Sequence, residues 1–112
     1  MINLAAGQCV PCRSGVSPLT PAEIDDLMLH IIGWQVREID GVDRLEKVFK
    51  FKDFLEAMAF TNRIAVIAEE QGHHPLITTE WGRVTVQWWT HKIKGLHRND
   101  FIMAAKTDEI LG

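Results

Sequence analysis

The run from Asp53 to Gln71 reads as one long helix, and the four residues after it, Gly72-His73-His74-Pro75, forbid its continuation. Asp53-x-x-Glu56 has the form of a capping box at the start. Leu55, Met58, Ala59, Asn62, Ala65, Val66 and Glu69 then trace one stripe at helical spacing, mostly apolar until Glu69, which reads as the packing face. Gly72 is a natural exit from a helix, and Pro75 disfavours helical backbone at His74. The two histidines are therefore expected at the rim of the helix, pointing in different directions. Glu69 lies four residues before His73, so a helical ending puts these two on the same face.

The other elements fall into place around this break. Thr20-Pro21-Ala22-Glu23 is a helix start, with a capping Thr, a Pro at the first helical position and a Glu that closes the box. Ile24, Leu27, Met28 and Ile31 give that helix its apolar face, and Gly33 stops it. Trp34 to Ile39 and Arg44 to Phe51 read as a hairpin around the turn residues Asp40 to Asp43, with Leu45, Phe49 and Phe51 on one face. A second hairpin runs from Leu76 to Glu80, turns at Trp81-Gly82 and returns from Arg83 to Trp89. In its return strand Val84, Val86 and Trp88 share one face, while Thr85, Gln87 and Trp89 share the other. Thr90 to Leu96 reads as a loop that carries His91, and a third helix follows from about His97, with Asp100 in its first turn and Phe101, Ala104, Ala105 and Leu111 on its apolar side. The predicted fold is α+β: a four-stranded antiparallel sheet with three helices packed on one face, in the order α-β-β-α-β-β-α. Bulky groups on both faces of the last strand favour an oligomer that covers the open face.

The length of 112 residues suits one domain, assigned here to residues 19–112. Residues 1–18 contain Gly7, Pro11, Gly15 and Pro18 without periodicity, and read as a flexible or loosely docked lead-in. A net charge of −3 gives no electrostatic reason to expect nucleic acid as a partner. No apolar run approaches the roughly 20 residues of a membrane span, and the first ten residues lack the basic start of a secretory signal, so a cytoplasmic location is the expectation. Cys9-Val10-Pro11-Cys12 lacks the second ligand pair of a zinc site and the strand-to-helix setting of a thioredoxin motif, and reads as incidental.

The groups with chemistry to offer are Glu69, His73, His74, His91 and Asp100, with Trp34 and Trp81 as flat walls for a ring-shaped ligand. Each has a plainer reading: two surface histidines in a turn, core or edge tryptophans, and an acid that only starts a helix. The sequence holds no HExxH, no Gly-rich phosphate loop and no serine or cysteine in a nucleophile-like setting. Adjacent histidines are awkward ligands for one tetrahedral ion, so no metal is expected. Proton transfer without metal or covalent intermediate remains, one histidine accepting a proton while another donates to a departing oxygen. Loss of water from a small polar substrate fits that pairing, though residue types alone do not select the substrate.

Glu69-x3-His73-His74-Pro75, then Trp81, Thr90-His91, Gly95-Leu96 and Asp100, resembles the pterin-4a-carbinolamine dehydratase family. Gly33-Trp34, Phe49-x-Phe51-Lys52-Asp53-Phe54 and the run Ala57 to Ala68 extend the likeness over about residues 19–112. The resemblance implies a cytoplasmic 4a-hydroxytetrahydrobiopterin dehydratase that converts a 4a-hydroxytetrahydropterin to the quinonoid dihydropterin. That reaction recycles the cofactor of aromatic amino-acid hydroxylases. The resemblance further implies that no cofactor is needed beyond the pterin substrate, and that the protein is a homodimer or homotetramer. His73, His74 and His91 match the family's three active-site histidines. His73 and His91 are then expected as the acid/base pair, with His74 holding the pterin. Glu69 would orient His73 or tune its pKa, and Trp34, Trp81 and Asp100 are further substrate-binding candidates. His97-Arg98-Asn99 departs from the family pattern. Competing readings are a non-catalytic dimerisation or interaction module, a pterin-binding protein and a metal-dependent hydrolase.

Overall fold

Asp40 and Gly41 both take left-handed backbone, with φ of 53° and 78°. Positive φ at both central residues is the two-residue turn whose twist matches that of paired strands, and it joins β1 (Gln35–Ile39) directly to β2 (Val42–Lys50). The second hairpin, β3 (Leu76–Glu80) and β4 (Arg83–Trp88), turns at Trp81 and Gly82, with Gly82 at φ 71°. The structure, a computed structural model, describes residues 3–11 and 16–112. Cys12 of the Cys-x-x-Cys pair and Gly15 of the lead-in lie outside the described residues.

The two hairpins join through β2 and β4 into one antiparallel sheet of order β1-β2-β4-β3. Its register sets Leu45 opposite Trp88, Phe49 opposite Val84 and Ile77 opposite Val86. That aligns the apolar residues on one face, where Leu45, Val84, Val86 and Trp88 are fully buried. Three helices cover this face: α1 (Pro21–Met28), α2 (Phe54–Gln71) and α3 (Arg98–Glu109). The expected α+β architecture and element order are present. Thr20 caps α1 with the full box to Glu23, and Asp53 caps α2 by accepting the Glu56 N–H at 2.8 Å. The strands differ only at their ends: β1 starts at Gln35, and the 91–93 stretch of the expected loop forms a 3-10 turn held by a Thr90–Gly95 bridge.

The packing face of α2 is a correction. Ala57, Phe60, Ile64 and Ala68 enter the core, while Leu55 (80% exposed), Ala59, Asn62, Val66 and Glu69 face out. The helix carries two apolar stripes, and the bulkier one wins because Phe60 fits between Phe49 and Phe51, at ring distances of 4.7 and 5.1 Å. Leu111 is likewise exposed; Phe101, Ile102, Met103 and Ala104 bury α3 instead. A helix buried on so many sides needs cover beyond the sheet, and the start of the chain supplies part of it. Leu4 is buried in the core cluster, a 3-10 turn at Leu4–Ala6 lies on α3, and Lys106 Nζ donates to the Ala5 carbonyl at 2.8 Å. The helix-free face carries polar ladders instead: Glu46 accepts from both Arg37 and Gln87, and Arg44 donates to the Gln87 side chain. No helix among the described residues is long and apolar enough to cross a membrane.

Candidate active site

The end of α2 determines where the histidines go. Gly72 adopts left-handed backbone (φ 63°), its N–H reaches the Glu69 carbonyl, and the His73 N–H reaches back to the Ala68 carbonyl at 3.2 Å. This paired closure turns the chain sharply off the helix axis. His73 is thereby swung inward toward the first turn of α3, and His74 outward toward solvent. Glu69 therefore pairs with His74 rather than His73, with Oε2 and Nε2 2.5 Å apart on the open surface. The expectation that Glu69 orients His73 fails because the left-handed residue breaks the helical spacing on which it rested.

Asp100 takes that place. Its carboxylate is wholly buried and lies 2.6 Å from His73 Nε2 through Oδ1. Its Oδ2 accepts the Thr90 hydroxyl at 2.8 Å and the His97 backbone N–H at 2.9 Å. The last of these is half of a capping box, completed by His97 Nδ1 accepting from Asn99 N–H. The helix-start role and the histidine-orienting role of Asp100 are thus one arrangement. A carboxylate that already accepts two donors presents only acceptor capacity to the imidazole, so His73 Nε2 carries the proton it donates and Nδ1 is left as the free ring nitrogen. Beneath the ring, Trp88 lies parallel at 5.9 Å with its own Nε1–H donated to Thr107. His73 is held by a buried acid on its edge and a buried indole on its face.

His91 arrives from the other side, just past the end of β4. Its ring packs at a tilt on Trp89, with centroids 4.4 Å apart, and the Arg44 guanidinium sits 3.8 Å from the Trp89 ring centroid. His73, His74 and His91 line one cavity of about 440 Å³, together with Gln71, Gly72, Thr90, Lys92, Asn99 and the strap Cys9-Val10-Pro11. That volume lies in the range of small-molecule sites, about 300–1,000 Å³. Among the described residues, no three His, Cys, Asp or Glu side chains are grouped as ligands for one metal ion.

The structure does not bring the two tryptophans to this cavity. Trp34 is buried, packs edge-on against Phe49 and donates its Nε1–H to Asp108, at the opposite end of α3 from Asp100. Trp81 is 73% exposed at the β3–β4 turn, the end of the sheet away from His74 and His91. Sequence reasoning missed Asn99, Gln71 and the strap. Asn99 stood in the segment that departs from the family pattern, and that departure was the only signal for it. The strap has no periodicity to mark it.

The family model described as Pterin 4 alpha carbinolamine dehydratase matches residues 17–110. The chain belongs to this family. It is 55% identical over 111 residues to a protein of Syntrophotalea carbinolica provisionally named for the same family, an alignment covering 99% of both chains. A similarly named protein of Microcystis aeruginosa is 53% identical over 110 residues, covering 98% of this chain and 95% of the relative. Among solved structures, a transcriptional coactivator/pterin dehydratase from Brucella melitensis superposes with a TM-score of 0.77 at 35% identity, over 86% of this chain and all of that one. A pterin dehydratase-like protein described as a RuBisCO assembly factor of the alpha-carboxysome shares the fold, with a TM-score of 0.61 at 24% identity over 74% of this chain and 94% of that one.

Proposed function

We propose that this protein dehydrates a 4a-hydroxytetrahydropterin to the quinonoid dihydropterin, in recycling of the tetrahydropterin cofactor in the cytoplasm. The convergence of three histidines, from the end of α2 and the end of β4, on one ligand-sized cavity carries the reading. In the reaction the C4a–O bond breaks, the N5–H proton is lost, and the N5–C4a bond becomes double. His73 takes the N5 proton on Nδ1, the nitrogen left free by Asp100. His91 delivers a proton to the departing hydroxyl, which leaves as water. His74, tethered by Glu69 at the rim, holds the pterin. Only proton transfers are required, so neither metal nor organic cofactor enters the scheme. Trp34 and Trp81 have no part in it.

The test is loss of the absorbance of 4a-hydroxytetrahydropterin, generated in situ, with and without the protein. Acceleration that falls by about 10²–10⁴-fold in His73→Ala is the expected result for loss of a general base. Absence of acceleration by folded wild-type protein refutes it. A second reading, a non-catalytic interaction module, draws on the exposed apolar stripe of α2, from Leu55 to Val66. The same stripe supports self-association into a homodimer or homotetramer. The interaction reading expects no turnover and a stable hetero-complex, whereas a homo-oligomer is compatible with catalysis.

A further inference from the structure

A flat heteroaromatic substrate needs a wall to lie against, and the tryptophans that the sequence offers for it are elsewhere. The wall beside the histidines is built instead by Cys9-Val10-Pro11. This segment precedes residue 17, where the match to the family model begins. It is fastened to the site through Asn99 and Gln71, with the Cys9 thiol also reaching the Asn99 carbonyl at 3.8 Å. Val10 exchanges both of its backbone hydrogen bonds with one side chain: its N–H donates to Asn99 Oδ1 at 3.0 Å, and its carbonyl accepts from Asn99 Nδ2 at 2.7 Å. The Cys9 N–H donates to Gln71 Oε1 at 2.9 Å, one residue before the turn that presents the histidines. Farther back, Leu4 is buried against the core and Lys106 holds the Ala5 carbonyl.

These fastenings turn the polar backbone of the strap toward Asn99 and Gln71. Val10, 57% exposed, and Pro11 stand at the cavity. Asn99 is itself buried, and its backbone N–H donates to the capping His97 Nδ1, so its side chain ties the strap to the same helical turn that holds Asp100 and, through it, His73. Wall and base thus share one rigid support.

We infer that the Cys9–Pro11 strap is the apolar wall of the pterin site, with Asn99 and Gln71 as the residues that position it. The inference rests on the proposed dehydratase reading and adds to it a substrate-binding element from outside the matched segment. An apolar face on a pteridine contributes to binding more than to proton transfer, so its loss separates KM from kcat.

The experiment uses the full chain. Val10→Asp, which sets a charge against the ring face, is expected to raise KM by about tenfold or more with a much smaller change in kcat, as for loss of a hydrophobic pocket contact. Lys106→Met removes a distant fastening without touching the cavity, and is expected to raise KM in the same direction. A readout independent of turnover is alkylation of Cys9 by iodoacetamide in a Cys12→Ser protein. With 7,8-dihydrobiopterin at ten times its Kd, labelling is expected to slow by about tenfold, as mass action requires for a thiol covered by the ligand. Wild-type turnover combined with an unchanged KM in Val10→Asp and unprotected Cys9 overturns the wall while leaving the dehydratase reading intact. Wild-type protein that neither accelerates the dehydration nor binds the pterin overturns both.

Discussion

Replacing Asp100 by Asn changes one atom and, by the geometry of the site, should reverse the hydrogen-bonding sense of His73. The carboxylate accepts from three donors: His73 Nε2 on one oxygen, and Thr90 Oγ1 and the His97 N–H on the other. The amide of Asn has only one oxygen. Keeping it toward Thr90 and His97 preserves two bonds and the helix cap, so the NH2 group is left facing His73. An NH2 donates, and Nε2 must then accept, which moves the ring proton to Nδ1, the nitrogen proposed to take the substrate proton. The fold should lose little, about 1–2 kcal/mol for the exchanged hydrogen bonds. The rate should lose far more, about 10²–10⁴-fold in kcat, the range for removing a positioned general base. Asp100→Ala is a poorer probe because it strands all three donors and costs about 3 kcal/mol or more. The assay pairs stopped-flow loss of the hydroxytetrahydropterin absorbance with long-range ¹H–¹⁵N correlation of the imidazole nitrogens, which reads the tautomer. A switched tautomer with turnover within a few-fold of wild type refutes His73 Nδ1 as the base. An unchanged tautomer refutes the orienting role of Asp100.

Three further outcomes follow from separate parts of the molecule. Trp89→Leu removes the surface on which His91 rests and the seat of Arg44, so kcat should fall by about tenfold through loss of ring orientation, with the melting temperature nearly unchanged; equal kcat refutes the positioning role. Leu55→Glu charges the exposed stripe of α2 and should shift the protein to a smaller species in sedimentation velocity, while an unchanged mass excludes that stripe as the self-association surface. Thr20→Ala should cost about 1 kcal/mol by chemical denaturation, the usual worth of a helix cap. The Thr20 backbone N–H, and then its hydroxyl, hold the Glu23 carboxyl below its ordinary 4.5. A lowered folded-state value means that the reciprocal cap contributes fully above about 4.5 and fades as pH falls through the folded-state value, so the cost of Glu23→Ala should shrink in acid.

Much of the fold was legible because it is written in local chemistry. The Asp-Gly turn, the alternation of Val84, Val86 and Trp88 against Thr85, Gln87 and Trp89, and the caps at Thr20 and Asp53 each specify their conformation within a few residues. The α2 face was not legible for a physical reason. Leu55-Met58-Ala59-Asn62-Val66 and Ala57-Phe60-Ile64-Ala68 both satisfy a helical period, and periodicity cannot rank them. The choice is made by shape, in the slot that Phe49 and Phe51 leave for Phe60. The stripe left over stands exposed at Leu55 and Val66, beside the charged line of Glu56, Arg63 and Glu70, and is the surface proposed for self-association.

The site divides along the same line. That His73, His74 and His91 belong together follows from a break in one helix and the end of one strand, both visible in the chain. Which acid serves which histidine does not, because the answer depends on a single left-handed residue. With Gly72 helical, Glu69 would have faced His73 across one turn; at φ 63° it cannot, and the exposed Glu69 is left to His74 while the buried Asp100 takes His73. The exchange matters chemically. An exposed carboxylate on a flexible stem competes with water for its histidine and holds it loosely, whereas a buried one with its other oxygen already fixed by Thr90 and His97 has one orientation to offer. The glycine therefore does more than end the helix. By assigning the buried acid to His73 and the exposed one to His74, it gives adjacent, chemically identical side chains different partners, which suits the first to the proposed proton transfer of fixed geometry and the second to the proposed holding of a ligand at the rim.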